Sequence, residues 1–343
     1  MSARQKVGNH LVDRGRNSLF MNESSSDPGS KMDRRHMLTA LGMTMGAASI
    51  ASTQASLEQP QSSEGRVFRY CLNTSTIRGQ KLGIEQEIEI AGKAGYDAME
   101  PWFDGLNGFV EAGGALKDLR KRIEDHGMTI ESAIGFAPWI VNDATKRKAG
   151  LEQAKREMDM LAQIGGKRMA APPAGAPGDD PIELQAAAER YRTLIELGES
   201  MGVVPQIEMW GGHPIIGRIS TALSIAVECA HPKACFLGDV YHTYKGGCPF
   251  EGLKMMGPQA MQTFHFNDYP ADPPRETIND SHRVYPGDGI APLDTILQGF
   301  VEVGAYPVLS LEVFNRSYWE QDAAEVARTG LSKMKAAVRK ALG

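Results

Sequence analysis

Short apolar runs alternate along most of the chain with longer segments whose apolar residues recur at the spacing of a helix. The apolar runs predict eight strands at 67–72, 97–103, 128–136, 167–171, 203–210, 234–241, 262–268 and 307–314. The segments between and after them predict eight helices at 84–94, 115–126, 146–164, 181–200, 220–229, 250–256, 292–303 and 322–342. Glycines such as Gly95, Gly127 and Gly202 follow these segments, where a left-handed residue commonly ends a helix.

Eight strand–helix units in succession predict an α/β fold, the (β/α)8 TIM barrel, over residues 66–343. A doubly wound parallel sheet is the alternative architecture. That fold would bind its ligand at a switch point in the strand order, and the first strand here is not followed by a GxGxxG sequence.

The N-terminal residues follow a different pattern. Arg34-Arg35 precedes an apolar run of small residues at 41–52, and Thr53-Gln54-Ala55 offers a cleavage site, so residues 1–55 resemble a twin-arginine export signal. The run is shorter than the about 20 residues of a membrane span, which predicts no stable span after cleavage. Residues 56–65 are interpreted as a linker. The expected location is the periplasm, or the cytoplasm if the signal does not function.

Two alternatives concern this segment. One is a tail in which Arg-Arg occurs by chance. The other concerns the start of the chain: Met32 stands directly before the charged region and is a second candidate for the native start.

Composition narrows the class of partner. The chain has 37 basic and 42 acidic residues, a net charge of -5, and 42% hydrophobic residues, which is typical of a globular protein and argues against a nucleic-acid partner. The four cysteines form no CxxC pair, which argues against a zinc ribbon or a thioredoxin-like site.

Four consecutive predicted strands end in a side chain that can bind a metal. These are Glu208, Asp239, His265 and Glu312, each with apolar neighbours. In a barrel the carboxyl ends of the strands surround the active site, so the four side chains are expected to meet. Three carboxylates with one imidazole favour Mn²⁺, with Mg²⁺, Co²⁺ or Zn²⁺ as alternatives, and without a cation the carboxylates would repel one another. A strand-end glutamate taken singly is more often part of a salt bridge.

Further candidates lie beside this set. Glu100 ends the second strand and either binds a sugar hydroxyl or braces the barrel, while Asp268 is a candidate to orient His265. His213 either reaches the pocket or is solvated. Aromatic residues near strand ends either stack on a sugar or close the barrel mouth: Trp102, Phe136, Trp139 and Trp210.

Two local motifs extend the set: Asp-x-x-His at 239–242 and RVYPGDG at 283–289, which contains Arg-x-x-Pro-Gly. With the strand-end residues, they make 66–343 resemble the xylose-isomerase-like TIM barrel superfamily, including its ketose 3-epimerases. The resemblance implies a metal held by Glu208, Asp239, His265 and Glu312. It also implies that Glu208 and Glu312 are the catalytic acid and base, and that His242 and Arg283 contact substrate. Trp210 and Glu100 complete the candidate substrate-binding set.

Endonuclease IV belongs to the same superfamily, but its site adds histidines on strands three and four. This chain has no histidine between His126 and His213, and Ser281 stands where that enzyme has a ligand aspartate. A DNA-repair nuclease is therefore disfavoured.

The resemblance implies proton transfer next to a carbonyl through an enediolate, hence a metal-dependent isomerase or epimerase. A lyase that dehydrates or eliminates from a keto-sugar or keto-glycoside would use the same residues, and a non-catalytic sugar-binding protein is a third hypothesis. The sequence has no Gly-rich phosphate loop and no cluster of basic residues at strand ends, which favours an unphosphorylated sugar-like substrate. The sequence leaves homo-oligomerisation open.

Overall fold

The computed structural model describes residues 68–343, so the predicted signal at 1–55 and the linker at 56–65 lie outside the described residues. The predicted barrel is confirmed, because eight parallel strands follow one another around a ring. The strands are β1 Tyr70–Asn73, β2 Ala98–Glu100, β3 Thr129–Ile130, β4 Arg168–Ala171, β5 Val204–Glu208, β6 Phe236–Asp239, β7 Thr263–His265 and β8 Val308–Leu311.

The pairing of the first strand excludes the doubly wound alternative. β1 pairs in parallel with both β2 and β8, so the chain returns to its starting strand. On the far side of the ring, Ala133 closes the gap between β3 and β4. Its N–H donates to Arg168 O at 3.2 Å, and its carbonyl accepts from Ala170 N at 2.9 Å.

Most strands are shorter than predicted, because residues at their carboxyl ends leave the hydrogen-bonded ladder and turn into the barrel mouth.

The helices are α1 Ile84–Ala94, α2 Phe103–Glu111, α3 Leu116–Asp125, α4 Ala144–Gln163, α5 Leu184–Glu199, α6 Ile219–Glu228, α7 Val240–Lys245, α8 Leu293–Glu302, α9 Arg316–Trp319 and α10 Ala323–Leu342. The predicted helix at 250–256 is instead a 3-10 helix, Phe250–Met255. Two other 3-10 helices are Thr74–Gln80 and Asp280–His282.

The main core lies between the strands and the surrounding helices. Phe264 on β7 is fully buried and packs edge-on against Phe300 of α8, with ring centroids 5.0 Å apart. His265, between Phe264 and Phe266, faces the other way because successive strand residues alternate sides. Within residues 68–343, no helix is long and apolar enough to cross a membrane.

Candidate active site and metal centre

The strand register brings the four predicted metal ligands to one mouth of the barrel. Asp239 on β6 is level with His265 on β7, and Ser310 on β8 is level with His265 on the other side. Glu312 lies two residues beyond Ser310, and Glu208 on β5 is level with Leu237, two residues before Asp239. This progressive offset is the stagger that a closed barrel of tilted strands requires.

Asp239, His265 and Glu312 form the centre of the site. One ligand atom from each lies within 4.8 Å of the others, and all three residues are buried. His265 Nδ1 is 3.0 Å from Glu312 Oε2 and 3.5 Å from Asp239 Oδ2, yet neither contact has hydrogen-bond geometry. The imidazole therefore turns a nitrogen without a hydrogen-bond partner towards two carboxylate oxygens.

Glu208 lies beside this centre but outside the 4.8 Å group. It lines the same cavity as Glu312, and its buried Oε2 has no hydrogen-bond partner. Burial raises the pKa of Glu208 to about 8; the charge of His265 opposes this rise, and the carboxylates of Glu312 and Asp239 add to it. Burial and the neighbouring carboxylates thus favour the protonated form of Glu208 as long as no cation is bound.

Glu100 holds His265 from the opposite side of the ring. Glu100 Oε2 is 3.1 Å from His265 Nε2, and it also accepts from Ser310 Oγ at 2.6 Å and Asn73 Nδ2 at 2.9 Å. Both Glu100 and His265 are completely buried. Despite the cost of burial, the charge of His265 and these hydrogen bonds keep the pKa of Glu100 below its usual value. Glu100 does not line the cavity, which favours its bracing role over the alternative of sugar binding.

Asp239 divides its two oxygens between the backbone and the site. Its Oδ1 accepts from His242 N at 2.9 Å and so caps the N-terminus of α7. Its Oδ2 accepts from Arg283 Nη1 at 2.9 Å. The cap orients the carboxylate, which explains why the Asp-x-x-His motif places an aspartate at this position.

Arg283 is buried among acidic groups. Its Nη1 also donates to Glu312 Oε2 at 2.8 Å, and its Nη2 contacts His242 Nε2 at 3.0 Å and donates to Asp280. Burial opposes the charge of Arg283, but Asp239, Asp280 and Glu312 together raise its pKa above the usual value. Asp280 was not among the site residues predicted from sequence. Its position three residues before Arg283, at one 3-10 turn, is the local feature that could have identified it.

A cavity of about 450 Å³ opens above these groups. Of the predicted substrate-binding residues, it is lined by His242, Arg283 and Trp210, together with His213. Of the other aromatic candidates, Trp102 and Phe136 also line it. Trp139 does not: it is buried beside Tyr191 and donates to Pro172 O at 2.8 Å. Phe314 lines the cavity too, a residue that sequence reasoning missed.

The prediction that Asp268 orients His265 was wrong. Asp268 instead accepts hydrogen bonds from backbone N–H groups of Tyr269, Gly287, Gly289 and Ala291, at 2.8 to 3.1 Å. It therefore shapes the 269–291 loop, which carries Arg283, and the role expected of it belongs to Glu100.

The donor set fits a divalent cation. Two buried atoms that face the centre, Glu208 Oε2 and His265 Nδ1, lack hydrogen-bond partners. Oxygen donors with a single nitrogen suit Mn²⁺, Mg²⁺, Co²⁺ or Zn²⁺. Ligands of an octahedral site with bonds of about 2.1 Å lie about 3 Å apart, close to the 3.0 Å between His265 Nδ1 and Glu312 Oε2.

Comparison with known proteins agrees with this geometry. The sequence profile of the xylose isomerase-like TIM barrel family matches residues 88–337, well over half of the chain. The chain belongs to this family. It is 24% identical over 278 residues to an inosose isomerase of Bacillus velezensis, an alignment that covers 80% of this chain and 98% of the relative.

Solved structures share the family fold. The IOLI protein with a binding zinc atom superposes with a TM-score of 0.74 at 22% identity, covering 80% of this chain and 100% of the other. An L-ribulose 3-epimerase gives 0.64 at 16% identity, with 80% and 95% coverage. The probable 3-DHS dehydratase AsbF of Bacillus anthracis gives 0.63 at 16% identity, with 78% and 99% coverage. At these identities the likeness establishes the fold alone.

Proposed function

We propose that the chain is a metal-dependent isomerase or epimerase of an unphosphorylated sugar-like carbonyl compound. The observation that carries the proposal is the pair Glu208 and Glu312, which face one cavity beside the buried Asp239–His265 pair. The isomerase and epimerase names of proteins similar to this chain support the same reaction class.

Asp239, His265 and Glu312, with Glu208 beside them, would hold one divalent cation, for which Mn²⁺ is favoured. The zinc named for the similar IOLI protein supports a divalent metal. When bound, such a cation supplies Lewis-acid stabilisation of negative charge on substrate oxygens.

The residues of the chain supply the proton transfers. Glu208 has an oxygen without a partner, and we propose that it removes the proton from the carbon next to the substrate carbonyl. Glu312 follows β8, three strands away around the ring, and would approach the substrate from a different side. If Glu312 returns a proton to the same carbon, that carbon is inverted; if the proton goes to the former carbonyl carbon, the product is an isomer.

His242 and Arg283 would hold substrate oxygens. Both line the cavity, and the backbone N–H of Gly211 donates to His242 Nδ1 at 3.1 Å, which leaves the other ring nitrogen facing Arg283. Arg283 Nη2 already contacts His242 Nε2 at 3.0 Å and donates to Asp280, so a substrate oxygen would bind here by displacing one of these contacts.

A lyase is the second candidate. The same proton removal, followed by departure of a group from the neighbouring carbon, gives dehydration or β-elimination. The similarity of fold to a dehydratase supports it. Apolar residues also line the cavity of about 450 Å³, which would leave space for a departing group.

Metal content tests the first part of the proposal. We expect about one Mn, Mg, Co or Zn per chain by plasma mass spectrometry, or binding of one after divalent-ion titration, and loss of the metal in His265→Ala. His126→Ala, which alters a histidine on the helix layer paired with Glu89, is the control and retains the metal. A wild-type chain that binds no divalent ion in non-chelating buffer would overturn the proposal.

Isotope exchange tests the chemistry. A panel of ketoses incubated in D₂O is followed by NMR and mass spectrometry. Deuterium at the carbon next to the carbonyl without other mass change indicates isomerisation or epimerisation, and loss of water or another group indicates a lyase. Glu208→Gln and Glu312→Gln should each slow turnover by at least about 10²-fold, because each removes a proton-transfer group. Binding without exchange across the panel would favour the sugar-binding hypothesis.

A further inference from the structure

One wall of the cavity is a continuous row of aromatic rings. Phe314, Trp102, Phe136, Trp210 and His213 follow one another with centroid separations of 5.9, 5.1, 6.1 and 6.1 Å. We call these five residues the aromatic wall. Phe136 stands between the two tryptophans and is 41% exposed, so the wall presents apolar surface to the cavity opening.

The wall is held in place by contacts behind it. Trp102 Nε1 donates to Asn73 Oδ1 at 3.0 Å, and the guanidinium of Arg78 lies 4.3 Å from the centre of a Trp102 ring. Asn73 in turn donates to Glu100 and to Glu312, which connects the wall to the proposed metal site. A rigid, contiguous and water-facing aromatic surface is typical of a ligand-binding surface.

The cavity is also lined by polar groups: Glu208, His242, Asp280, Arg283 and Glu312. The guanidinium of Arg283 lies 5.1 Å from the centre of the Phe314 ring. The residues that line the cavity include no lysine, and both Nη atoms of Arg283 already contact carboxylates. The carboxylates of Glu208, Asp280 and Glu312 outnumber the single guanidinium in this lining, which disfavours a phosphate or carboxylate on the substrate.

We infer that the substrate is a neutral keto-glycoside or related sugar-like carbonyl compound that carries a flat apolar substituent, and that the aromatic wall binds this substituent. The inference rests on the proposed function, since it assigns the sugar part to the acidic residues and the metal. A volume of about 450 Å³ lies within the range of pockets for small organic ligands of about 300–1,000 Å³.

Matched pairs of glycosides test the inference through binding alone. Methyl and phenyl β-glycosides of D-glucose, D-galactose and D-xylose, which carry the substituent but lack the reactive carbonyl, are titrated into the metal-loaded full chain by calorimetry. We expect the phenyl member of at least one pair to bind about tenfold more tightly or better, because it buries a ring on the wall. Equal affinity within every pair, or no binding of any phenyl glycoside at millimolar concentration, would overturn the inference.

Variants of the aromatic wall test where the phenyl group binds. Phe136→Ala and Trp210→Ala should each reduce the phenyl-to-methyl affinity ratio at least severalfold, whereas Tyr306→Ala should leave it unchanged. Tyr306 is the matched control because it is 47% exposed and packs on Phe68, and it does not line the cavity. A phenyl-to-methyl affinity ratio that is unchanged in both wall variants would show that the phenyl group binds elsewhere. Tighter binding of D-glucose 6-phosphate than of D-glucose would contradict the neutral substrate.

The failures of the two proposals are distinguishable. A metal-loaded chain that exchanges deuterium but shows no phenyl preference overturns only the role of the aromatic wall. The chain could instead bind no metal and still prefer phenyl glycosides when it is titrated as purified. That result would overturn the catalytic proposal and leave a binding site for apolar glycosides.

Discussion

Glu100 illustrates how a single carboxylate can set the state of a histidine at the proposed metal site. Because Glu100 Oε2 lies 3.1 Å from His265 Nε2, a proton on that nitrogen leaves the lone pair of Nδ1 free to bind a cation placed beside Asp239 and Glu312. Carboxylates in this position fix the tautomer and orientation of ligating histidines. Glu100 is therefore a positioning residue that acts through His265.

Replacing this carboxylate tests that role. Glu100→Gln should weaken divalent-metal affinity by about 10–100-fold, because an amide is a poorer acceptor for the Nε2 proton. The affinity is measured by competition with a chromophoric chelator, and the His265 tautomer by long-range ¹H–¹⁵N NMR. Glu87→Gln, at a buried carboxyl group on α1, is the matched control and should bind metal like the wild type. Unchanged affinity and tautomer in Glu100→Gln would contradict the role.

Residues at strand ends could be predicted from sequence, but their partners could not. Glu208, Asp239, His265 and Glu312 stand out because each interrupts an apolar run at a position where barrel strands converge. The contact between Glu100 and His265 joins residues 165 apart and depends on the diameter of the closed ring. Nothing local in the sequence distinguishes this partner from Asp268, which is the nearer in sequence.

Helices with strong local signals were predicted well, and those shaped by tertiary contacts were missed. The bounds of α1, Ile84–Ala94, match the prediction because its apolar period and the left-handed Gly95 after it are both local features. Helix α7, Val240–Lys245, was predicted as part of a strand and a loop. Asp239 is the N-cap of α7 and also a residue of the site, so strand β6 ends at this residue.

Helix α1 also carries a buried acid that makes stability depend on pH. Glu87 is only 8% exposed; burial chiefly raises its pKa from 4.5 to about 8, Asp104 adds to the rise and Arg78 opposes it. The folded chain thus keeps a proton that the unfolded chain releases, so the free energy of unfolding falls as pH rises from about 4.5 to about 8.

A neutral side chain should remove this pH dependence. In Glu87→Gln the free energy of unfolding at pH 8 should exceed that of the wild type by about 2 kcal/mol or more, since one pKa unit corresponds to about 1.4 kcal/mol. At pH 4.5 the two chains should be nearly equal. Urea unfolding at both pH values measures the difference, with Glu85→Gln as a control on the same helix turn. A gain of equal size at both pH values would refute the titration of Glu87.

At the scale of the whole molecule, the barrel is stabilised by ring closure and packing. All four cysteines, Cys71, Cys229, Cys235 and Cys248, are buried free thiols. The described fold therefore needs no oxidising compartment, and it is compatible with folding before any export. The export signal predicted at 1–55 remains a prediction, and its test is independent of the site.

Export should depend on the arginine pair. When the full chain is produced in a bacterium with an intact twin-arginine pathway, we expect the periplasmic fraction to contain a form cleaved near Ala55. Because that pathway recognises paired arginines, Arg34→Lys/Arg35→Lys should leave the uncleaved chain in the cytoplasm. Arg14→Lys/Arg16→Lys, outside the motif, is the matched control and should be exported normally. N-terminal sequencing of the retained precursor distinguishes a start at Met1 from one at Met32. Cytoplasmic retention of the wild-type chain would refute the signal and mean that the enzyme meets cytoplasmic substrates. Normal export of the Arg34/Arg35 variant would refute the role of the arginine pair.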